Sequence, residues 1–301
     1  MTTRWAAAAA ALLAAPGAAV QAGESAYSVE AGMLSSTLRS DDRTTAGTLA
    51  IGATLYTTPV RFEPNHPFGE LDFLQQASQF TLMHSSYSYG GSPVIADTTA
   101  TDLMFDGLMY LDRLALGLAQ STGGMKLSPI GMGSAGYDVS TTSTTLRIGY
   151  RWLPQTQLNL ALGQTVDTYS GPSGWPVIND YQLNWNKLSI HNVALLDNGH
   201  ALVVDLGLKR KTRMQGSANA STQALSAQFR AYPSPDLYIE AGLNQESGDS
   251  SGTTGRTLSY GAGLSLSNLL ILQVFGSKFT AADPSQYSSD KELGLALTVR
   301  F

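Results

Sequence analysis

Few residues in this chain have the type and spacing that covalent chemistry needs. The four histidines, His66, His84, His191 and His200, are scattered, with no pair at metal-ligand spacing and no H-E-x-x-H pattern. With no cysteine, thiolate nucleophiles, disulfides and sulfur-ligated metal centres are excluded. No serine lies in a nucleophile elbow, and Asp41-Asp42 has no obvious histidine partner. Gly131-Met132-Gly133-Ser134-Ala135-Gly136 matches G-x-G-x-x-G, but a dinucleotide site needs a strand before it and a helix after it. Here a long polar stretch precedes a strand pattern. The sequence assigns no catalytic residue, no metal ligand and no cofactor.

What remains is charge at alternating positions. Arg147, Arg151, Asp205, Lys209, Lys211, Arg230, Glu240 and Arg300 each alternate with apolar neighbours. In a strand, successive side chains face opposite sides, so these charges belong to one face and the apolar set to the other. Asp205, Arg230 and Glu240 fall at similar depth on three successive strand patterns, which predicts an acid-base-acid ladder. Six of the eight are basic, so the face they share is expected to favour anions.

The elements that must position these charges are strands. Leu293, Leu295, Leu297, Val299 and Phe301 alternate with Glu292, Gly294, Ala296, Thr298 and Arg300, and the same period of two recurs along the chain. The pattern predicts strands at 25–37, 46–56, 71–88, 101–111, 113–121, 140–152, 156–168, 180–193, 201–213, 222–232, 237–246, 256–267, 269–279 and 290–301. Of 301 residues, 43% are hydrophobic and 14% charged, with 30 glycines and a net charge of −5. The largest basic run is Lys209-Arg210-Lys211, which argues against nucleic acid as a partner. Residues 1–22 have a basic start, an apolar run and a small-x-small end at Val20-Gln21-Ala22, the layout of a cleaved secretory signal peptide. After Ala22 no apolar run is long enough for a spanning helix, so residues 23–301 are expected to be soluble or a β-barrel.

The connections decide for the barrel. Tight links at Leu111-Asp112-Arg113, Leu153-Pro154-Gln155, Leu196 to Gly199, Pro233 to Asp236 and Ser267-Asn268 alternate with long polar links at 89–100, 122–139, 169–179, 214–221, 247–255 and 280–289. Short turns on one side and long loops on the other are the habit of an outer-membrane barrel, the short side being periplasmic. Thr57 to Glu70 breaks the rule as a long, Pro-containing link on the short side. Trp152, Phe229, Phe301, Tyr181 and Tyr260 are expected to face out near the rims. The loop 122–139 is the one expected to fold inward.

The ending Leu293-x-Leu295-x-Leu297-x-Val299-x-Phe301 resembles the signal by which the barrel-assembly machinery recognises bacterial outer-membrane proteins. Tyr56 to Ser78, with Pro59, Pro64 and Pro67 leading into Phe73-Leu74-Gln75-Gln76-Ala77-Ser78, resembles a proteobacterial porin family of outer-membrane β-barrel proteins. The resemblance implies a passive outer-membrane channel. The resulting expectation is an all-β, transmembrane, antiparallel up-and-down barrel of about 14 strands with both termini periplasmic. It would pass small hydrophilic solutes through a polar lumen lined by the eight charges above. Its partners would be outer-membrane lipid and lipopolysaccharide, the assembly machinery and its solutes, with a homo-oligomer left open. A barrel hydrolase and a closed structural or adhesive barrel are the alternatives.

Overall fold

A computed structural model of the chain describes residues 26–40, 44–90, 98–128, 136–172, 178, 180–216, 218–248, 254–282 and 289–301. The proposed signal segment and the G-x-G-x-x-G stretch from Gly131 to Ala135 lie outside the described residues, as does Asp41-Asp42.

The strands are β1 (Ala26–Ser40), β2 (Thr45–Arg61), β3 (Gln79–Gly90), β4 (Thr98–Leu111), β5 (Leu114–Leu127), β6 (Tyr137–Leu153), β7 (Thr156–Ser170), β8 (Tyr181–Leu195), β9 (Ala201–Gln215), β10 (Ala218–Ser234), β11 (Leu237–Gly248), β12 (Gly255–Ser267), β13 (Leu270–Ala281) and β14 (Asp290–Arg300). Each pairs antiparallel with its sequence neighbours, and β14 closes on β1 with Glu30 opposite Arg300 and Ser40 opposite Asp290. The result is a closed fourteen-stranded barrel, which leaves no sheet edge unpaired.

Period-two patterning sorts the side chains. Leu146 and Ile148 on β6, Leu188 on β8, Leu208 on β9, Leu225 on β10 and Leu293 on β14 all project from the outer surface, each more than half exposed or close to it. An apolar exterior on this scale is untenable in water and suited to acyl chains. The strands run from 11 to 17 residues, at least the length a tilted strand needs to cross a bilayer. Trp152, Phe229 and Tyr260 are exposed on this outer face. Tyr181 is not on it. Its register with Asp167 and Gln215 puts it on the same face as Trp185 and Lys187, with the Arg213 guanidinium 4.8 Å from its ring centre.

Three boundaries differ from the sequence pattern. Residues 214–221 hold no long loop: β9 and β10 continue into a tight hairpin that Gly216, at φ 59°, can turn without Cβ strain. Much of 122–139 is strand, the ends of β5 and β6, and 129–135 lie outside the described residues. Among the described residues, the segment that packs inside the barrel is 62–78, between β2 and β3. It folds as a 3-10 turn, Phe68–Glu70, running into one helical turn, α1 (Leu71–Leu74), where the alternation had predicted the start of a strand. Leu71 and Leu74 face packed side chains rather than a lipid stripe, so apolar spacing alone misassigned them.

Candidate functional site

Segment 62–78 crosses the short-turn end of the lumen. On one wall Leu71 packs with Tyr27 of β1, Tyr56 and Val60 of β2 and Ala77, joined by Phe62 and Phe68. On another, Phe73 and Leu74 pack against Val193 of β8, Ala201 and Val203 of β9, and Tyr232 of β10. In the ring order β1 and β8 are seven strands apart, so the two clusters lie on opposite sides of the barrel. Burying a Leu or Phe side chain is worth about 1.5–3 kcal/mol, which anchors the segment at both ends.

Charge fixes it between those anchors. Arg230 of β10 donates from Nη1 to Glu70 Oε1 at 2.6 Å and from Nη2 to Glu240 Oε2 of β11 at 3.1 Å. His191 of β8 has Nδ1 at 2.7 Å from Asp205 Oδ1 and Nε2 at 3.4 Å from Glu70 Oε2. Asp205, His191, Glu70, Arg230 and Glu240 thus form one alternating chain of acids and bases, with Glu70 only 4% exposed. Arg300 donates to Glu30 Oε1 at 2.6 Å and to the Phe68 carbonyl at 2.9 Å. Arg151 lies 4.7 Å from the centre of the Phe73 ring and donates to the carbonyls of Leu74 and Pro154. Gly69 passes so close to Tyr232 that a Cβ there would fall 2.5 Å from its hydroxyl oxygen. Gln75 mimics a strand partner, accepting from Arg61 N at 2.8 Å and donating to Arg61 O at 2.6 Å. Asp72 sits outside the strands; burial, with the carboxylates of Glu30 and Glu70 nearby, pushes its pKa up to about 6.

The expected ladder of Asp205, Arg230 and Glu240 forms only in part. Arg230 and Glu240 are register partners, but Asp205 faces Gln228 across the ladder and bonds to His191. The missing member is Glu70. Parity could not find it, because it reaches the wall from a turn.

Farther from the short turns, Arg147 bonds Asp106 of β4, Lys211 reaches Glu246 of β11, and Lys209 stands 4.2 Å over the Trp185 ring. Register places all eight charges named from the sequence on the inward face. It also places there Glu30, Asp102, Asp106, Asp167, Glu246, Asp290 and Glu292. The interior is mixed in charge, and its densest group of basic side chains, Lys187, Lys209, Lys211 and Arg213, lies on the wall of β8 and β9.

A serine hydrolase arrangement would need a free histidine nitrogen for the hydroxyl. Nδ1 of His191 is taken by Asp205, and Nε2, which makes no hydrogen bond, faces the Glu70 carboxylate at 3.4 Å. Of the residues expected from the sequence to form an assembly signal, Leu293 and Leu295 face out, and Phe301 lies at the closing seam, donating from N to Val29 O at 2.8 Å.

No family model matches the chain, and no curated protein sequence matches it. Solved structures do. The Acinetobacter baumannii outer membrane protein Omp33 aligns over 93% of this chain and 100% of its own, at 15% identity and a TM-score of 0.55. The CymD monoaromatic hydrocarbon channel aligns over 91% and 89%, at 10% identity and a TM-score of 0.53. The Ralstonia pickettii toluene transporter TbuX aligns over 93% and 90%, at 11% identity and a TM-score of 0.50. At these identities the likeness is one of fold, and the fold is that of an outer-membrane β-barrel.

Proposed function

We propose that the protein is a bacterial outer-membrane channel for passive diffusion of small hydrophilic solutes, with its short turns and both termini periplasmic. The observation that carries this reading is the contrast between an apolar outer face and an inner wall that on β6 to β9 is made mainly of Ser, Thr, Asn, Gly and charged side chains, with Leu34, Met83, Met104 and Phe275 making the wall elsewhere less polar. Such a lining solvates polar solutes better than the hydrocarbons named for CymD and TbuX. Segment 62–78 narrows the periplasmic mouth and sets a low size limit. Anion preference is assigned to the β8–β9 wall, since the lumen as a whole is mixed in charge.

The test is single-channel recording of refolded protein in planar bilayers under a salt gradient, with a lipid and peptide hydrolysis assay beside it. Small, anion-preferring steps and no hydrolysis are expected. Absence of conductance both with segment 62–78 and with it replaced by a short turn would sink the channel reading, and cation preference would sink its anionic part.

A further inference from the structure

We propose that Arg39, Lys278 and Lys291, with Arg256 beside them, form a docking surface on the outer wall for the phosphorylated headgroup of lipopolysaccharide. The inference rests on the proposed orientation, which puts the long-loop end of the barrel in the outer leaflet, and not on conductance.

Leu258, Lys278, Lys291 and Arg39 are successive register partners from β12 through β13 and β14 to β1. All four face outward and are exposed. Three cations therefore stand in one row, on three adjacent strands, within about 10 Å of wall at the usual strand spacing. Arg256, opposite Thr280, adds a fourth, one outward position nearer the long loops. Like charges directly opposite each other destabilise a sheet, and this row holds two such pairs.

No acid offsets them among the described residues. The acids of these strands, Glu30, Asp290 and Glu292, have the inward parity, and Glu292 meets the Ser277 hydroxyl there. Elsewhere on the outer face basic charge is sparse. Lys126 has Asp138 opposite it, and Arg210 stands between Asn186 and Gln223 and donates to the Ser221 hydroxyl. The cations are thus gathered on one side of the barrel.

Directly beneath the row lies the edge of the apolar belt, Tyr260, Gly276, Leu293 and Thr37 in register. The Tyr260 ring lies across Gly276, where a Cβ would fall 2.8 Å from its hydroxyl oxygen, and such a ring suits the headgroup level. Cations above an apolar belt match an anionic lipid whose chains lie along the strands. A phospholipid phosphodiester brings one charge. Several cations spread over three strands match a headgroup with more than one phosphate, and in the outer leaflet that is lipid A.

The test is native mass spectrometry and thermal unfolding of the refolded full chain in detergent, titrated with bisphosphorylated lipid A, dephosphorylated lipid A and phosphatidylglycerol. Saturable binding of the bisphosphorylated form is expected, with a rise in melting temperature. Affinity is expected to fall at least about tenfold in Arg39→Gln/Lys278→Gln/Lys291→Gln and to be kept in Lys278→Arg/Lys291→Arg. Arg210→Gln is expected to bind as wild type. Without lipid the triple Gln variant is expected to melt no lower than wild type, because it removes a repulsion; this also shows that it folds. Equal affinity in wild type and the triple variant would overturn the surface, as would an equal loss in Arg210→Gln. Phosphatidylglycerol or dephosphorylated lipid A binding as tightly as the bisphosphorylated form would overturn the choice of lipid. Binding without conductance in bilayers supports the surface and counts against the channel reading alone.

Discussion

The two ends of the inner wall treat charge in opposite ways. At the short-turn end each of Glu70, His191, Arg230, Glu240, Arg300 and Glu30 meets a counter-charge at 2.6–3.4 Å, and Arg300 and Arg230 also cap backbone or carboxylate groups of the crossing segment. At mid-height on β8 and β9, two lysines stand side by side with none. A charge that is fully paired and buried holds structure and offers nothing to a passing ion. An uncompensated pair in a wet lumen does the reverse: it costs some stability and attracts a mobile counter-ion. The difference marks one end as a fastening and the other, on the proposed channel reading, as a place where a solute would be felt.

The strongest way to break that contrast is to remove the fastening. Replacing residues 64–76 with a short Gly-Ser turn removes Leu71, Phe73 and Phe68 from both apolar clusters, at about 1.5–3 kcal/mol for each side chain. A several-fold rise in unit conductance and a clear fall in melting temperature are expected, read from bilayer recordings and from thermal unfolding in detergent. Unchanged conductance would mean that the segment does not narrow the path.

Next in size is Glu70→Ala. It leaves His191 facing only Asp205 and frees one arm of Arg230, and breaking a buried pair of this kind costs about 3 kcal/mol. The same change should raise open probability without altering ion preference, since the β8–β9 wall is untouched. A shift in reversal potential would blur the two-ended division. Gly69→Val is expected to follow at about 1–3 kcal/mol, because its side chain would meet the Tyr232 hydroxyl and lift the 3-10 turn from β10. Pairing it with Tyr232→Phe, which removes that oxygen, should recover part of the loss.

How much of this was legible in the sequence follows from what alternation encodes. The inward parity of Arg147, Lys209 and Arg230 and the outward parity of Leu146, Leu208 and Leu293 need only a period of two, so strand identity and count could be read directly. Strand ends such as Thr98 and Thr122 to Leu127 were underestimated, because above the apolar belt the pattern gives way to Ser, Thr and Gly on both faces. The crossing segment was visible only as an anomaly, a Pro-containing link on the short side. Its inward fold depends on contacts between residues as far apart as Glu70 and Arg230, which carry no local signature. His191 looked isolated for the same reason: Asp205 lies on the next strand and Glu70 more than a hundred residues away.

The finest probe of the fastening is Asp72, whose carboxyl is raised to about 6 by burial and by the neighbouring carboxylates Glu30 and Glu70, with Arg300 opposing them. Released from its site, the group returns toward the ordinary aspartate value near ~3.9. The docked segment therefore holds the Asp72 proton more tightly than the undocked one. Above about 6 the carboxylate is charged in both states, and docking bears the cost of burying that charge. As pH falls through about 6 toward ~4, protonation removes the cost and docking tightens; below that range both states are protonated and the gain is complete. Asp72→Asn should stabilise the barrel at neutral pH by on the order of 1–2 kcal/mol and match wild type near the acid end of that window. Melting curves of both proteins across the window give the answer. If Asp72→Asn proves less stable than wild type at neutral pH, the ionised carboxylate is a binding partner of Arg300 rather than a cost, and the crossing segment is fastened by one more charge pair than its geometry assigns.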